Sequence, residues 1–389
     1  MPAPLSQKYF PAFSTREAEL RAYSELPGTI LDRMVPVITL TREREAPSLE
    51  ASLAAVAAVA NGRPIIVDFD PVPRDLRSEE EIEAERARKA EQRRRDGKKP
   101  FVPTEKHKAR WQQQRDTTIA FNDSVEALKD GAGGYANWRM FCLPTPTVIP
   151  VIQAADPTQV LPQVRAIVAA DRRIAFRIDV RDPLSVGAFL IAAPVLDRAD
   201  RAIVILDAGH IRGSVAGAQE LVTKTLKGIQ DNVPPALFQG LLKVCMAGSF
   251  PNVLTTLLSP LEIQERELFD LVVAEGWDVR YGDHASVQPR RAQGGANGWL
   301  PHVEVAHPRR WYFERSNLNS DKKGYIDSAK LLVGNAVAWS GRSTSWGTDM
   351  VERASRGLLN DGGTFKLTTP GRWVGPRVSQ HLTQQALHP

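Results

Sequence analysis

Short apolar runs recur along the first three quarters of the chain, at residues 9–13, 35–40, 64–69, 148–152, 174–180, 202–206, 242–246 and 277–281. Most are continuous rather than alternating, the pattern of strands covered on both faces. Each is followed by a helix-like stretch or a long insertion. Eight such units predict an α/β chain folded as a (β/α)8, TIM-like barrel, with chemistry at the carboxyl ends of the strands. Helix signals fall where that plan requires them. Ser14-Thr15-Arg16-Glu17 reads as a capping box, and an alanine-rich helix over 47–60 stops at Asn61-Gly62. Asp182-Pro183 opens a helix to about Leu196, and Ser259-Pro260-Leu261-Glu262 opens another to Gly276.

Two regions depart from the repeat. After the third strand, residues 71–146 occupy a space that a short loop and one helix would fill. Within them, 78–96 has strong helix formers and almost no apolar face, so it is expected to be a solvated helix. Residues 105–128 carry Trp111, Ile119, Phe121, Val125 and Leu128, enough to dock a second helix on the body. The barrel is therefore assigned to 1–285, interrupted by this insertion, and 286–389 form a C-terminal extension. That extension is expected to hold a hairpin (303–305 and 310–314) and helices over 325–333 and 348–356, one of them closing the barrel. Peripheral strands are expected within 364–374.

Composition keeps the chain among ordinary globular proteins: 389 residues, 42% apolar and 24% charged. No apolar run reaches the length of a bilayer-spanning helix, and the first residues lack the basic-then-apolar order of a signal peptide. Cys142 and Cys245 lie in or beside apolar runs, as buried thiols do, with no disulfide framework. A cytoplasmic protein without a membrane partner is the expectation. The net charge of +5 is concentrated: residues 77–115 hold 13 basic and 8 acidic side chains, a difference equal to the whole excess.

The predicted strand ends gather the candidate chemistry. Asp68, Asp179 and Asp207 end three strands in equivalent positions, and His210, Asp283 and His284 stand near other strand ends. These six are the catalytic candidates; Arg42, Gln153 and Arg177 are candidate ligand-binding residues. Asp68, Asp179 and Asp207 together can hold a divalent metal through oxygen ligands, or serve as acid and base in metal-dependent hydrolysis or phosphate handling. Taken singly, an aspartate after a strand more commonly caps the following helix. No glycine–x–serine–x–glycine elbow, phosphate-binding loop or paired-cysteine zinc signature occurs, so no complete catalytic set is visible and no other cofactor is indicated. The insertion offers Arg86, Arg88, Lys89, Arg93, Arg94 and Arg95 as partner-binding residues. Their charge suits an acidic protein surface or, through phosphates, nucleic acid.

Both ends of the chain carry short motifs. Tyr9-x-Pro11, then Arg16 and Glu19, opens it; Ser345-Trp346-Gly347-Thr348-Asp349, Trp373 and Ser379-Gln380-His381-Leu382 lie near the close. These resemble the beta protein family of phages, satellite prophages and bacterial defence loci. Thr348 intervenes before the acid, and Gln380 stands where the family has the first histidine of its closing pair. The resemblance implies a role in suppressing a killing protein encoded nearby, hence a toxin or defence-module protein as partner. It implies no catalytic reaction.

Overall fold

The computed structural model describes residues 5–41, 48–72, 76, 78–97, 99, 103–196, 198–251, 259–287, 300–316 and 322–389. Its strands in chain order are β1 (Tyr9–Ser14), β2 (Val37–Leu40), β3 (Ile65–Phe69), β4 (Val148–Pro150), β5 (Ile174–Asp179) and β6 (Ala202–His210). There follow β7 (Leu242–Gly248), β8 (Leu261–Glu262), β9 (Arg280–Asp283), β10 (His302–Ala306) and β11 (Arg310–Arg315). Eight of these form one parallel sheet in the order β4-β3-β2-β1-β9-β7-β6-β5. A parallel bridge from Val151 to Ala175, with Ile152 N–H donating to Ala175 O at 2.8 Å, joins its two edges. The result is a nearly closed, barrel-like sheet, drawn from the eight apolar runs.

Side chains alternate across such a wall. Phe10, Val37, Ile66, Ile149, Ile205 and Val244 belong to one cluster, the filled interior. Their chain neighbours Tyr9, Ile38, Ile65 and Val67 turn outward under the helices. Both sets are apolar, which is why the runs read as continuous.

The insertion forms helices Glu79–Arg95, Glu105–Lys129 and Ala132–Cys142. Ser78 and Glu81 make a reciprocal capping box for the first, which buries no residue at all. The second buries Thr118, Phe121, Val125 and Leu128, all in its later half. Its first thirteen residues thus extend roughly 20 Å without burying a side chain, at 1.5 Å per residue. The Arg86 guanidinium lies over the Trp111 ring at 4.2 Å and holds the two helices together as an arm, a contact worth about 0.5–1 kcal/mol where exposed. Trp138, on the third helix, is fully buried and donates its indole N–H to Val151 O at 2.9 Å.

After β9 the chain builds a satellite. Strands β10 and β11 pair antiparallel around His307-Pro308, and β8 adds to β11. Helices Lys322–Gly334 and Trp346–Ser355 pack on them around Tyr325, Met350, Val351 and Trp373. Neither helix closes the barrel. That place is taken by the last helix, Pro370–Leu387, whose Val374, Val378, Leu382 and Ala386 pack with Ala22 and Tyr23 of the helix Glu17–Ser24. The spacing of four puts this stripe on one helix face. The strands expected within 364–374 are corrected accordingly: Lys366 makes one bridge, to Asn360, and the helix begins at Pro370. Alternation of Phe365 and Leu367 imitates a strand there, but both side chains fill the satellite core.

Three local expectations also change. Ser14 does not cap the first helix; its N–H and hydroxyl both donate to Glu19 Oε2, at 2.6 and 2.8 Å. The stretch after Asp182 turns first, so its helix covers only Gly187–Ala192 before a 3-10 turn. Ser259-Pro260 leads into β8, and the helix starts later, at Gln264.

The satellite helix Trp346–Ser355 crosses the last helix at Gly347, where an added Cβ would collide with Pro376 O. Gly347→Ala should therefore lower stability by about 1–3 kcal/mol through overpacking. Gly371→Ala, with nothing within 4 Å, should change it little. Urea unfolding of the two variants checks the contrast.

Candidate functional site

The inward positions of the barrel change character at its carboxyl end. Two residues beyond the apolar layer of Ile66, Val151, Ala175 and Ile205 stand Asp68, Gln153, Arg177 and Asp207, and His284 follows Gly282 in the same way. Arg177 donates through Nε and Nη2 to Asp207 Oδ2, at 2.9 and 2.7 Å. Its Nη1 lies 3.8 Å from Asp68 Oδ2. Asp68 Oδ1 accepts from Gln153 Nε2 at 3.2 Å and from Phe69 N–H at 2.9 Å. Asp207 Oδ1 accepts from Gly209 N–H at 2.9 Å and lies 2.9 Å from His284 Nε2.

The electrostatics of the layer follow from these partners. Burial pushes the Asp207 carboxyl up, but His284 and Arg177 outweigh it and hold it far below the usual carboxylate range. Asp68 goes the other way: burial raises it, and the more distant Arg177 with Gln153 only partly compensates. Burial works against the Arg177 charge, yet Asp207 and Asp68 keep the guanidinium above its ordinary value. A guanidinium thus sits between two unlike carboxyls.

Not every candidate joins them. Asp179 pairs with Arg181, through Oδ1 to Nε at 2.7 Å and Oδ2 to Nη2 at 2.6 Å. Among the described residues, no group of three or more His, Cys, Asp or Glu is placed to hold a metal ion. Asp68, Asp179 and Asp207 are each answered by arginine instead. His210 is exposed at the end of β6; burial, then Arg212 and His284, depress its basicity. Arg42 lies outside the described residues. Sequence reasoning missed Arg181 and the two glycines that make room for the layer. A Cβ on Gly209, at φ +68°, would fall 2.7 Å from Arg181 Cζ, and one on Gly248 would fall 3.0 Å from His284 Cβ.

Asp283 is corrected as a mouth residue. It precedes His284 and so faces outward, where it is fully buried between β1 and the last helix. Tyr9 donates its hydroxyl to Asp283 Oδ1 at 2.9 Å, Ala285 N–H donates to the same oxygen at 2.8 Å, and His381 Nε2 lies 2.8 Å from Oδ2. Trp311 stacks on the His381 ring, with centroids 5.4 Å apart and planes 8° from parallel. Ala285 and Ser286, neither a glycine, follow with φ of 47° and 62°. Two left-handed residues in succession cost backbone energy, of order 1–3 kcal/mol each, and here they turn the chain directly after the Asp283-His284 pair.

Tyr9 and His381, from opposite ends of the chain, meet at this carboxylate, and the sequence model of the Beta protein family matches residues 9–387. The chain belongs to that family. It is similar to Protein beta of Enterobacteria phage P4, at 25% identity over 387 residues, covering 97% of this chain and 92% of that protein.

The residues that carry the family resemblance serve packing within the barrel-like part and within the extension, and through Tyr9 and His381 at Asp283 they join the two. Pro11 pairs in register with Asp283 across β1 and β9, and Arg16 lies 3.5 Å from Glu19. Ser345 caps its helix in a capping box whose third residue is Thr348, which explains the threonine before the exposed Asp349. Trp346 packs against Gly375, and Trp373 donates to Leu367 O at 3.0 Å while stacking on Tyr325. Gln380, in place of a histidine, accepts from Ala306 N–H at 3.2 Å and donates to Glu304 O at 3.2 Å, stitching the helix to β10.

Despite its burial, Asp283 is held below the ordinary carboxylate range by His381, Ala285 N–H and Tyr281. A carboxyl depressed in the folded state contributes stability above its unfolded pKa of about 3.9, and that contribution is lost as pH falls through the folded value. Asp207 acts with the same sign. Thermal stability should therefore fall steeply below about pH 4. Asp283→Asn should cost about 3–5 kcal/mol at neutral pH and show a shallower acid slope, Asp207 supplying the remainder. Melting temperatures across acidic and neutral buffers measure both effects.

Proposed function

We propose that this protein is the partner-binding component of a prophage-type toxin-neutralising or phage-defence module, built on a (β/α)8 barrel and working in the cytoplasm. The observation that carries the reading is the arm. Helix Glu79–Arg95 has no buried residue, and Arg86, Arg88, Lys89, Arg93, Arg94 and Arg95 are all exposed on it. A helix this polar gains no stability by docking on its own body, so its conformation is maintained by local devices. The Ser78–Glu81 box, acids in its first turn and arginines in its last all favour a free-standing helix. Lys89 pairs with Glu85, and Arg94 and Arg95 share Glu91, so its charges are ordered in rows rather than spread at random.

A protein partner suits this surface better than nucleic acid. Trp111, the aromatic nearest the basic face among the described residues, already has Arg86 on its ring at 4.2 Å, so base stacking there would have to displace a guanidinium. The acidic first turn, Glu79, Glu80 and Glu81, would repel a phosphate backbone laid along the helix. A metal-dependent hydrolase at the mouth is the weaker alternative, because Arg177 stands between the carboxylates that would share an ion. No described helix is long and apolar enough to cross a membrane.

Replacing 77–99 by a short glycine-serine bridge should leave the melting temperature nearly unchanged, because helix Glu79–Arg95 buries nothing. Capture of the product of the neighbouring gene should be lost or weakened, and raised salt should mimic that loss. Duplex and single-strand titrations run beside the pull-down separate the two partner classes. A deletion that unfolds the protein, or one that keeps both capture and protection from killing, removes the basis of this reading.

A further inference from the structure

The arm leaves unexplained the polar group at the carboxyl end of the sheet. Its floor is the apolar interior layer, and Asp68, Arg177 and Asp207 within β3, β5 and β6, with Gln153 and His284 just past β4 and β9, ring it. The ring is graded in exposure: the side chains of His284 and Asp207 are 3% and 10% exposed, those of Asp68 and Arg177 18% and 20%. The inner members are fixed by one another, while the outer two meet solvent.

Those outer two are also incompletely matched. Arg177 spends Nε and Nη2 on Asp207. Its Nη1 faces Asp68 Oδ2 across 3.8 Å, beyond hydrogen-bond reach. Asp68 Oδ1 is held by Phe69 N–H and Gln153. A donor and an acceptor therefore stand side by side at the solvent-exposed edge of the ring. Such a pair complements a ligand bearing an acceptor next to a donor.

Charge narrows the class. Asp68, Asp179 and Asp207 face Arg177 and Arg181, so a phosphate-like anion would meet three carboxyls and a divalent cation would meet a guanidinium. An uncharged polar ligand meets neither penalty. We propose that the barrel mouth binds an uncharged ligand with adjacent donor and acceptor groups, as in the vicinal hydroxyls of a sugar or the lactam edge of a nucleobase. Asp68 Oδ2 accepts from it, Arg177 Nη1 donates to it, and Gln153 and His284 flank it. The left-handed turn at Ala285 and Ser286 and the bare Cα of Gly248 fix His284 in that wall.

The test is calorimetric titration of the full-length protein with D-ribose, hypoxanthine, inorganic phosphate and magnesium chloride. Ribose or hypoxanthine should bind, and which of them does identifies the source of the shared chemistry. Asp68→Ala and Arg177→Lys should each weaken binding about tenfold or more, the loss expected for a hydrogen bond to a charged group. Circular dichroism confirms folding, and Gln153→Ala, on the rim of the same ring, replaces either variant if it fails to fold. Deleting 77–99 should leave the titration unchanged, so this site and the arm stand or fall separately. The proposal is overturned if neither neutral probe binds at millimolar concentration, or if binding survives the substitutions. Saturation by phosphate or magnesium in place of the neutral probes overturns it as well.

Discussion

A carboxylate with no exposed surface organises this molecule. Taking Asp283 out of water costs several kcal/mol unless its oxygens are answered, and the answers come from Tyr9 and His381, 274 and 98 residues away. Those contacts set the first strand against the last barrel strand and lay the final helix over the seam. The final helix in turn carries Gln380 and Gln384 against β10 and Ala306, so the satellite is positioned through it. Alternation along β9 then gives the next residue, His284, to the opposite face of the wall, where it meets Asp207. One dipeptide thus feeds the packing of the exterior and the chemistry of the mouth.

The barrel-like parallel sheet was legible because continuous apolar runs have few other uses. The eight runs could be placed, and their parallel order followed from the helices between them. The extension was less legible. The helix Pro370–Leu387 has a clean stripe at Val374, Val378, Leu382 and Ala386, but its other faces are buried too, by glutamine and threonine side chains that bond to neighbouring backbone. Hydropathy counts those residues as surface, so the stretch leading into a buried helix was read as peripheral strands. Local signals misled at Ser14 and Ser259: each serine was read as part of a helix cap, but Ser14 bonds the Glu19 side chain and Ser259 accepts from Phe313 N–H.

For the site, position was easier to read than partnership. That Asp68, Gln153, Arg177, Asp207 and His284 stand at strand ends follows from the runs that precede them. Which acid meets which base does not, because the pairings join different strands and depend on register, as with Asp179 opposite Asp207 yet bonded to Arg181. Three aspartates in equivalent positions suggested a metal. Arg177 and Arg181 divide them, and an arginine two residues before or after an aspartate gives no hint of that division. Asp283 was misplaced for a simpler reason: adjacent strand residues face opposite ways, and the end of the run was read without its phase.

The family motifs bear on this division. Tyr9, Gly347, Trp373 and His381 all act in packing, and none of them lines the mouth or the arm. Relatives at 25% identity can therefore share the closure of the barrel while differing in everything the barrel presents. Helix Glu79–Arg95 of the arm buries nothing, so its charges can change without cost to the core. A polar ring built on an apolar floor is less free, since altering Asp207 would strand both Arg177 and His284. The exposed face of that helix is therefore open to substitution in a way that the interlocked carboxylates, guanidinium and imidazole of the mouth are not.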